Sequence, residues 1–174
     1  MKGLLILYNG FEDCEALVTR AVLKKSNFEI ITVTPNTSLE VFSSQNLCVK
    51  ADLLMDQIIL NKYDFLIIPG GPYVQKVLNQ NDEELKQILK IIEYFVSKNK
   101  IIGAICAAPA FLGKLNLLKN HNFNCYPGYE KYIEGHFCPN LKAVTSGNFI
   151  TSRSPDTVFD FASHLIDKLT TKIK

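Results

Sequence analysis

One cysteine of this sequence stands where a reactive thiol would be expected. Cys106 lies in the stretch GAICAAPA (residues 103–110), directly after an apolar run and before a segment with helical character. A tight turn from a buried strand into a helix exposes its side chain, and the N–H groups at the helix start favour an anion. Because a helix N-terminus lowers a thiol pKa and the thiolate is the nucleophile, the placement predicts a reactive Cys106. The alternative is a buried structural cysteine, since free cysteine is among the most buried residue types.

Two further loops carry groups that could act with this thiol. The stretch GFEDCEAL (10–17) places Glu12, Asp13 and Glu15 at a predicted helix start, where acidic residues usually complement the helix dipole. One of them could instead turn inward, where a protonated carboxyl donates a hydrogen bond to a thiolate and an ionised one raises the thiol pKa. The stretch PGGP (69–72) brings backbone N–H groups to a strand end, either as an oxyanion hole or as a plain tight turn.

The elements that must position these loops alternate between strands and helices. Strands are predicted within 2–8, 28–35, 63–69, 101–105 and 149–152, and helices within 12–26, 81–100, 107–118 and 154–169. The runs 39–44 and 47–52 predict either a hairpin or an excursion at the edge of the sheet. The continuous apolar run 65–69 is typical of a strand buried on both faces. The alternation predicts one α/β domain over residues 1–174, with a mainly parallel sheet, helices on both faces and ligands at the carboxyl ends of the strands.

The composition excludes several classes of protein. The chain has 174 residues and a net charge of +2, and apart from a mildly basic C-terminal end its charges are interspersed, which gives no electrostatic footprint for nucleic acid or an anionic membrane. Its apolar runs are far shorter than a membrane helix requires, and the N-terminus lacks the pattern of a signal peptide. We therefore expect a cytoplasmic protein that binds neither nucleic acid nor membrane.

The five cysteines do not form a recognisable disulfide or metal framework. Their number is odd and no C-x-x-C pair occurs, which fits a reducing compartment. Cys125, His136 and Cys138 are of the right type for zinc, but no fourth ligand stands at an orthodox spacing. We expect no metal and no cofactor.

Four stretches, in the same order and along almost the whole chain, resemble the ThiJ/PfpI superfamily: GFEDCEAL, YDFLIIPGGP, IIGAICAAPAFLGK and FITSRSPDTVFDFA. The resemblance is to the branch that contains the parkinsonism-associated protein deglycase and its bacterial relatives. It implies a flavodoxin-like three-layer α/β sandwich that is usually a homodimer. It also implies that Cys106 is the elbow cysteine, that Glu15 is the glutamate hydrogen-bonded to its sulfur, and that Gly71 is the nearby backbone donor.

The departures from the family pattern narrow the function. Ala107 stands where peptidase-type members have a histidine, which disfavours a peptidase. The sequence also lacks the two marks of a glutamine amidotransferase, a glycine-flanked nucleophile and a distant His-x-Glu. Glyoxalase and deglycase members commonly use a histidine after the cysteine helix, where this chain has Tyr126. A phenol is a poor general base at neutral pH but can donate a hydrogen bond. His121 or His136 could replace the histidine only if the loop brings one inward.

The resemblance and the residues together give three functional hypotheses. In the first, Cys106 attacks an α-oxoaldehyde such as methylglyoxal, or a glycation adduct, Glu15 moves the proton, and Gly71 with the elbow backbone stabilises the oxyanion. In the second, the protein is a redox sensor or chaperone whose Cys106 oxidises to a sulfinate held by Glu15. A nucleotide-binding site at PGGP is the weakest. The roles of Arg20 and Arg153 stay open.

Overall fold

The computed structural model describes residues 1–80 and 83–173. Its strands are β1 (Lys2–Ile6), β2 (Glu29–Thr34), β3 (Glu40–Phe42), β4 (Cys48–Lys50), β5 (Leu53–Leu54), β6 (Phe65–Ile68), β7 (Ile101–Ile105), β8 (Asn122–Phe123), β9 (His136–Phe137), β10 (Ala143–Ser146) and β11 (Phe149–Ser152). Its α-helices are α1 (Asp13–Lys25), α2 (Tyr73–Gln80), α3 (Glu83–Ser97), α4 (Pro109–Lys114) and α5 (Val158–Ile173).

Seven strands form the central sheet in the order β10-β11-β7-β6-β1-β2-β5. All neighbours pair in parallel except β10, which runs antiparallel to β11 at one edge. Without its two edge strands, the order β2-β1-β6-β7-β11 is the doubly wound order of flavodoxin-like folds. The winding reverses between β1 and β6, and a crevice for ligands opens where their carboxyl ends diverge.

The three central strands are buried on both faces. All residues of β6 and β7, and all but the first of β1, are buried, and successive strand residues point to opposite faces. Helices α1 and α5 pack against each other, α5 also contacts β7, and α3 contacts β6 and β7. At Gly103 of β7 a side chain would lie 2.9 Å from Leu165 and from Phe161 of α5. The α/β fold predicted from the alternation is therefore confirmed.

Several elements differ from their predicted extent. The hairpin within 39–52 forms as β3 and β4. The helix predicted over 81–100 is observed as α3, which ends at Ser97, and the first two residues of the predicted range, Asn81 and Asp82, lie outside the described part of the chain. The helix predicted over 107–118 ends at Lys114, because Asn116 adopts a left-handed φ of 54°. Helix α2 and strand β10 were not predicted. None of the helices in 1–80 and 83–173 combines the length and the apolar character needed to cross a membrane.

Candidate active site

Cys106 occupies a strained elbow between β7 and α4. Its φ is 62°, in the left-handed region that residues other than glycine rarely adopt and that is found preferentially at functional sites. Two backbone bonds hold the elbow, from the Cys106 N–H to the carbonyl of Ser152 (2.9 Å) and from the Tyr126 N–H to the carbonyl of Cys106 (2.7 Å). The side chain is 7% exposed. The thiol is thus fixed at the end of a central strand with a small accessible surface.

Glu15 turns inward from the first turn of α1. Glu12 caps this helix, accepting a 2.8 Å hydrogen bond from the Glu15 N–H, and the Glu15 side chain is completely buried. Its Oε2 accepts a 2.7 Å bond from the Gly70 N–H, and the carboxyl also hydrogen-bonds the Cys106 thiol. Its Oε1 has no nitrogen or oxygen partner among the described residues. We refer to Cys106 and Glu15 as the reacting pair.

The glycines after β6 allow the loops to approach the reacting pair. A side chain at Gly70 would lie 2.7 Å from Cys106 Cβ and 2.9 Å from Glu15 Oε2, so only glycine fits without displacement. Gly71 has a φ of 130°, and a side chain there would lie 2.2 Å from the carbonyl oxygen of Gly10. The backbone N–H groups of Gly71 and Ala107 act on the Cys106 sulfur and lower its pKa, which favours the ionised form.

Burial dominates the titration of the reacting pair. It raises the pKa of Glu15 to about 8, so this carboxyl is protonated at neutral pH. Burial also raises the pKa of the Cys106 thiol, and the charge of ionised Glu15 raises it further. This corrects the prediction of a helix-lowered thiol pKa, because α4 begins only at Pro109 and the backbone N–H groups do not outweigh burial. A protonated Glu15 removes the like-charge repulsion and can donate to the sulfur.

A cavity of about 280 Å³ opens above the thiol. Its lining is mostly apolar and includes Glu12, Gly71, Pro72, Cys106, Ala107, Tyr126, Tyr129 and Pro155. Tyr126 is 46% exposed, and its ring centroid lies 6.3 Å from that of Tyr129 in an edge-on arrangement. The structure therefore brings three predicted site residues, Cys106, Gly71 and Tyr126, to one cavity. The fourth, Glu15, lies buried beside the sulfur.

The histidines considered as substitutes lie elsewhere. His121 Nδ1 is 2.9 Å from Ser146 Oγ, and its ring packs on Phe149 at the opposite end of β11 from the elbow. His136 is exposed on β9. Neither lines the cavity, so neither is placed to take the role of the missing histidine.

Neither of the two arginines considered lines this cavity, and the residues considered as zinc ligands, Cys125, His136 and Cys138, do not form a cluster. Arg153 pairs with Asp156 at 2.8 Å, and neither Arg153 nor Arg20 is among the lining residues. In the described ranges no three histidine, cysteine or acidic side chains cluster as metal ligands would.

Sequence reasoning missed one buried group next to the reacting pair. The Tyr8 side chain is completely buried just beyond β1, and its hydroxyl donates to the carbonyls of Pro69 and Gly70. A tyrosine at the carboxyl end of a central strand was the available signal. It was hidden within the apolar run that predicted the strand.

Comparison with known proteins gives a consistent picture. A family model described as the DJ-1/PfpI family matches residues 1–168. The chain is 30% identical over 166 residues to an Arabidopsis thaliana DJ-1 homolog, covering 95% of this chain but only 37% of that longer protein. It is 28% identical over 171 residues to a glutathione-independent glyoxalase of Caenorhabditis elegans (97% and 89% covered) and 25% identical over 172 residues to a deglycase of Pyrococcus horikoshii (97% and 99% covered). The structure of oxidized Toxoplasma gondii DJ-1 superposes with a TM-score of 0.84 at 25% identity, covering 97% of this chain and 90% of that one.

Proposed function

This chain belongs to the DJ-1/PfpI family, and we propose that it protects against chemical stress through a cysteine that adds to reactive carbonyl compounds. Cys106 is the proposed nucleophile, and an α-oxoaldehyde such as methylglyoxal, or a glycation adduct derived from one, is the proposed substrate. Two relatives are described as a glyoxalase and a deglycase, which supports this class of substrate. No cofactor takes part in the proposed reaction.

The observation that carries the proposal is the position of Glu15 relative to Cys106. A carboxyl with a pKa of about 8 is protonated at neutral pH and hydrogen-bonded to the thiol, so it can both deliver and take up a proton near the sulfur. Backbone N–H groups of Gly71 and Ala107 lie at the same sulfur. Fixed donors of this kind stabilise negative charge that develops during a reaction.

The chemistry follows from these groups. The sulfur forms a bond to the aldehyde carbon, and the thiol proton passes by way of Glu15 to the carbonyl oxygen, which gives a hemithioacetal. Glu15 then moves a proton from the former aldehyde carbon to the oxygen of the neighbouring carbonyl, which gives an enediol that carries the sulfur. The hydroxyl on the first carbon then gives up its proton to Glu15 as the second carbon takes one from Glu15, and the product is a thioester of a 2-hydroxy acid. Water hydrolyses the thioester, so methylglyoxal and one water become lactate and the thiol is restored.

Tyr126 has the role of a hydrogen-bond donor in this proposal. It lines the cavity where related enzymes are expected to have a histidine, and a phenol donates a hydrogen bond far more readily than it accepts a proton at neutral pH. We therefore assign the proton transfers to Glu15 and expect slow turnover.

A redox function is the second candidate. Oxidation of the Cys106 thiolate by two equivalents of peroxide gives a sulfinate and two waters, and protonated Glu15 is placed to donate a hydrogen bond to the product. One structural relative is described as oxidized, which supports this alternative. In that case the protein acts as a sensor or chaperone without turnover.

We propose a homodimer in the cytoplasm whose ligands are small reactive carbonyls or glycated molecules rather than nucleic acid or membrane. Analytical ultracentrifugation of the purified protein tests the dimer directly.

The decisive experiment measures methylglyoxal loss and lactate formation by the wild-type protein, Cys106→Ser and Cys48→Ser. Cys48 is an exposed cysteine on β4 and provides the control for general thiol chemistry. The proposal expects turnover by the wild type and Cys48→Ser and none by Cys106→Ser. If the wild type shows no turnover and mild peroxide adds two oxygen atoms at Cys106, the enzyme proposal is wrong and the redox sensor takes its place. Turnover that survives in Cys106→Ser would overturn both.

A further inference from the structure

Tyr8 is a completely buried phenol enclosed by the loops and helices around the reacting pair. Its ring stacks on Tyr73 at the start of α2, with centroids 5.8 Å apart, and meets Phe111 of α4 edge-on at 6.4 Å. These contacts fix the direction of the ring from both sides. The hydroxyl therefore has little freedom to choose other partners.

The hydroxyl binds the turn that follows β6. It donates to the carbonyl oxygen of Pro69 and lies 3.1 Å from the carbonyl oxygen of Gly70, so one proton is shared by two successive peptide groups. The Gly70 carbonyl also accepts a 3.0 Å bond from the Glu12 N–H. The turn at residues 69–71 is thus held through its carbonyl groups from within the protein.

The N–H groups of the same turn point to the reacting pair. The Gly70 N–H donates to Glu15 Oε2 at 2.7 Å, and the Gly71 N–H acts on the Cys106 sulfur and lowers its pKa. A peptide group is rigid, so fixing a carbonyl on one side fixes the N–H that shares its plane. The Pro69 carbonyl belongs to the same peptide plane as the Gly70 N–H, and the Gly70 carbonyl to the same plane as the Gly71 N–H.

We propose that Tyr8 is a positioning residue of this site, whose hydroxyl orients two peptide planes and thereby aims their N–H groups at the reacting pair. The inference rests on the proposed function only in taking Cys106 as the reacting group. Tyr8 itself touches neither substrate nor sulfur in this scheme. Its effect is transmitted through the turn at 69–71.

The phenol contributes no charge to this effect. Burial, followed by the charges of Glu15, Cys106, Glu84 and Tyr129, raises the pKa of Tyr8 well above its usual value of 10, so the hydroxyl is neutral at every pH of interest. Both N–H bonds favour the ionised forms of their partners. Glu15 is already protonated at pH 7, so loosening the Gly70 N–H by loss of the hydroxyl changes little there, whereas loosening the Gly71 N–H disfavours the Cys106 thiolate.

The test is the pH profile of Cys106 alkylation by iodoacetamide, followed by mass spectrometry of the Cys106 peptide in wild type, Tyr8→Phe and Tyr63→Phe. Tyr63 is nearly buried at the opposite end of β6 and controls for loss of a buried tyrosine hydroxyl. We expect Tyr8→Phe to move the profile to higher pH and slow alkylation at pH 7 by about three- to tenfold, the factor that one hydrogen bond is worth. Tyr63→Phe should match the wild type. A Tyr8→Phe profile that coincides with the wild type overturns the proposal.

A measurement on the wild type removes dependence on the folding of the variant. A hydroxyl held by two buried carbonyls should give a slowly exchanging proton resonance with nuclear Overhauser contacts to the Gly70 or Gly71 amide, and rapid exchange would contradict the proposal. Neither readout needs methylglyoxal turnover. Failure of the carbonyl reaction would leave the alkylation shift in place, and failure of the Tyr8 proposal would leave turnover intact.

Discussion

The backbone N–H of Tyr126 donates a 2.7 Å hydrogen bond to the carbonyl oxygen of Cys106. The loop that follows β8 is therefore attached to the elbow itself, and the side chain of residue 126 stays at the cavity wall. A group at this position can act on a substrate bound to the sulfur. In the proposed reaction, a base at residue 126 would add a second route for proton transfer beside Glu15.

Replacement of Tyr126 by histidine should accelerate the proposed reaction. Positioned acid–base catalysis typically contributes about 10²–10⁴ in rate, so we expect Tyr126→His to raise kcat for methylglyoxal at least about tenfold at pH 7. Tyr126→Phe, which removes the hydroxyl and adds no base, is the matched control and should not be faster than the wild type. Equal rates for the histidine and phenylalanine variants would show that position 126 plays no part in proton transfer.

Glu15 should make the protein less stable as pH rises through neutrality. Its pKa is about 8 in the folded protein against 4.5 unperturbed, so between these values the folded state holds a proton that the unfolded state has lost. Stability then falls by about 1.4 kcal/mol per pH unit, or roughly 2–3 kcal/mol from pH 5.5 to 7.5. Urea unfolding at these two pH values measures the effect. Between them the free energy of unfolding of Glu15→Gln should fall less than that of the wild type, by roughly 2–3 kcal/mol. The exposed Glu93→Gln on α3 should behave as the wild type, and a parallel decline in all three would refute the assignment.

Alanine at two glycines should separate backbone strain from close contact. Gly71 and Gly128 both have positive φ, but a side chain at Gly128 meets no atom within 4 Å whereas one at Gly71 would collide with a backbone carbonyl. We expect Gly128→Ala to cost about 1–2 kcal/mol from strain alone. Gly71→Ala should cost more and also slow alkylation of Cys106, because the displaced turn no longer holds its N–H at the sulfur. Thermal unfolding with alkylation rates measures both, and similar losses of stability at the two sites would argue against the contact.

The left-handed elbow should reverse the usual order of alanine and glycine. In ordinary conformations glycine is about 0.5–1 kcal/mol less stable than alanine, but at a φ of 62° a side chain costs about 1–2 kcal/mol. Cys106→Gly should therefore be at least as stable as Cys106→Ala in urea unfolding. Cys125, also buried but without a positive φ, is the matched position and should show the normal order. The same order at both positions would mean that the elbow is not strained.

Much of the fold could be predicted because its central strands have a simple signature. The apolar runs before PGGP and Cys106 are continuous since both faces of β6 and β7 are covered, and the two loops that follow them are observed together. The spacing of Val74, Val77 and Leu78 in α2 is that of a helix. The helix was not predicted because it is short and directly follows the glycines of the turn, which indicate a loop. Strand β10 alternates weakly and depends on pairing with β11, which no local pattern reveals.

The site was less predictable than the fold because the pKa values of its residues depend on how deeply they are buried. The sequence placed Cys106 and Glu15 at loops that meet, but a helix-terminus argument cannot weigh burial, and burial sets the direction of the thiol pKa. The part played by Tyr8 depends on hydrogen bonds to residues about 60 positions away. Such contacts arise only when the sheet is assembled.

The left-handed backbone at position 106 also restricts how this protein can diverge. A single-nucleotide change of a cysteine codon leads to glycine, serine or a much larger residue, and a nearly buried elbow has no room for the large ones. Glycine is the one replacement that relieves the backbone as well. Homologues that have lost the proposed reaction should therefore carry glycine at the elbow. They should still have a buried acid at the position of Glu15 and the two glycines at the positions of Gly70 and Gly71.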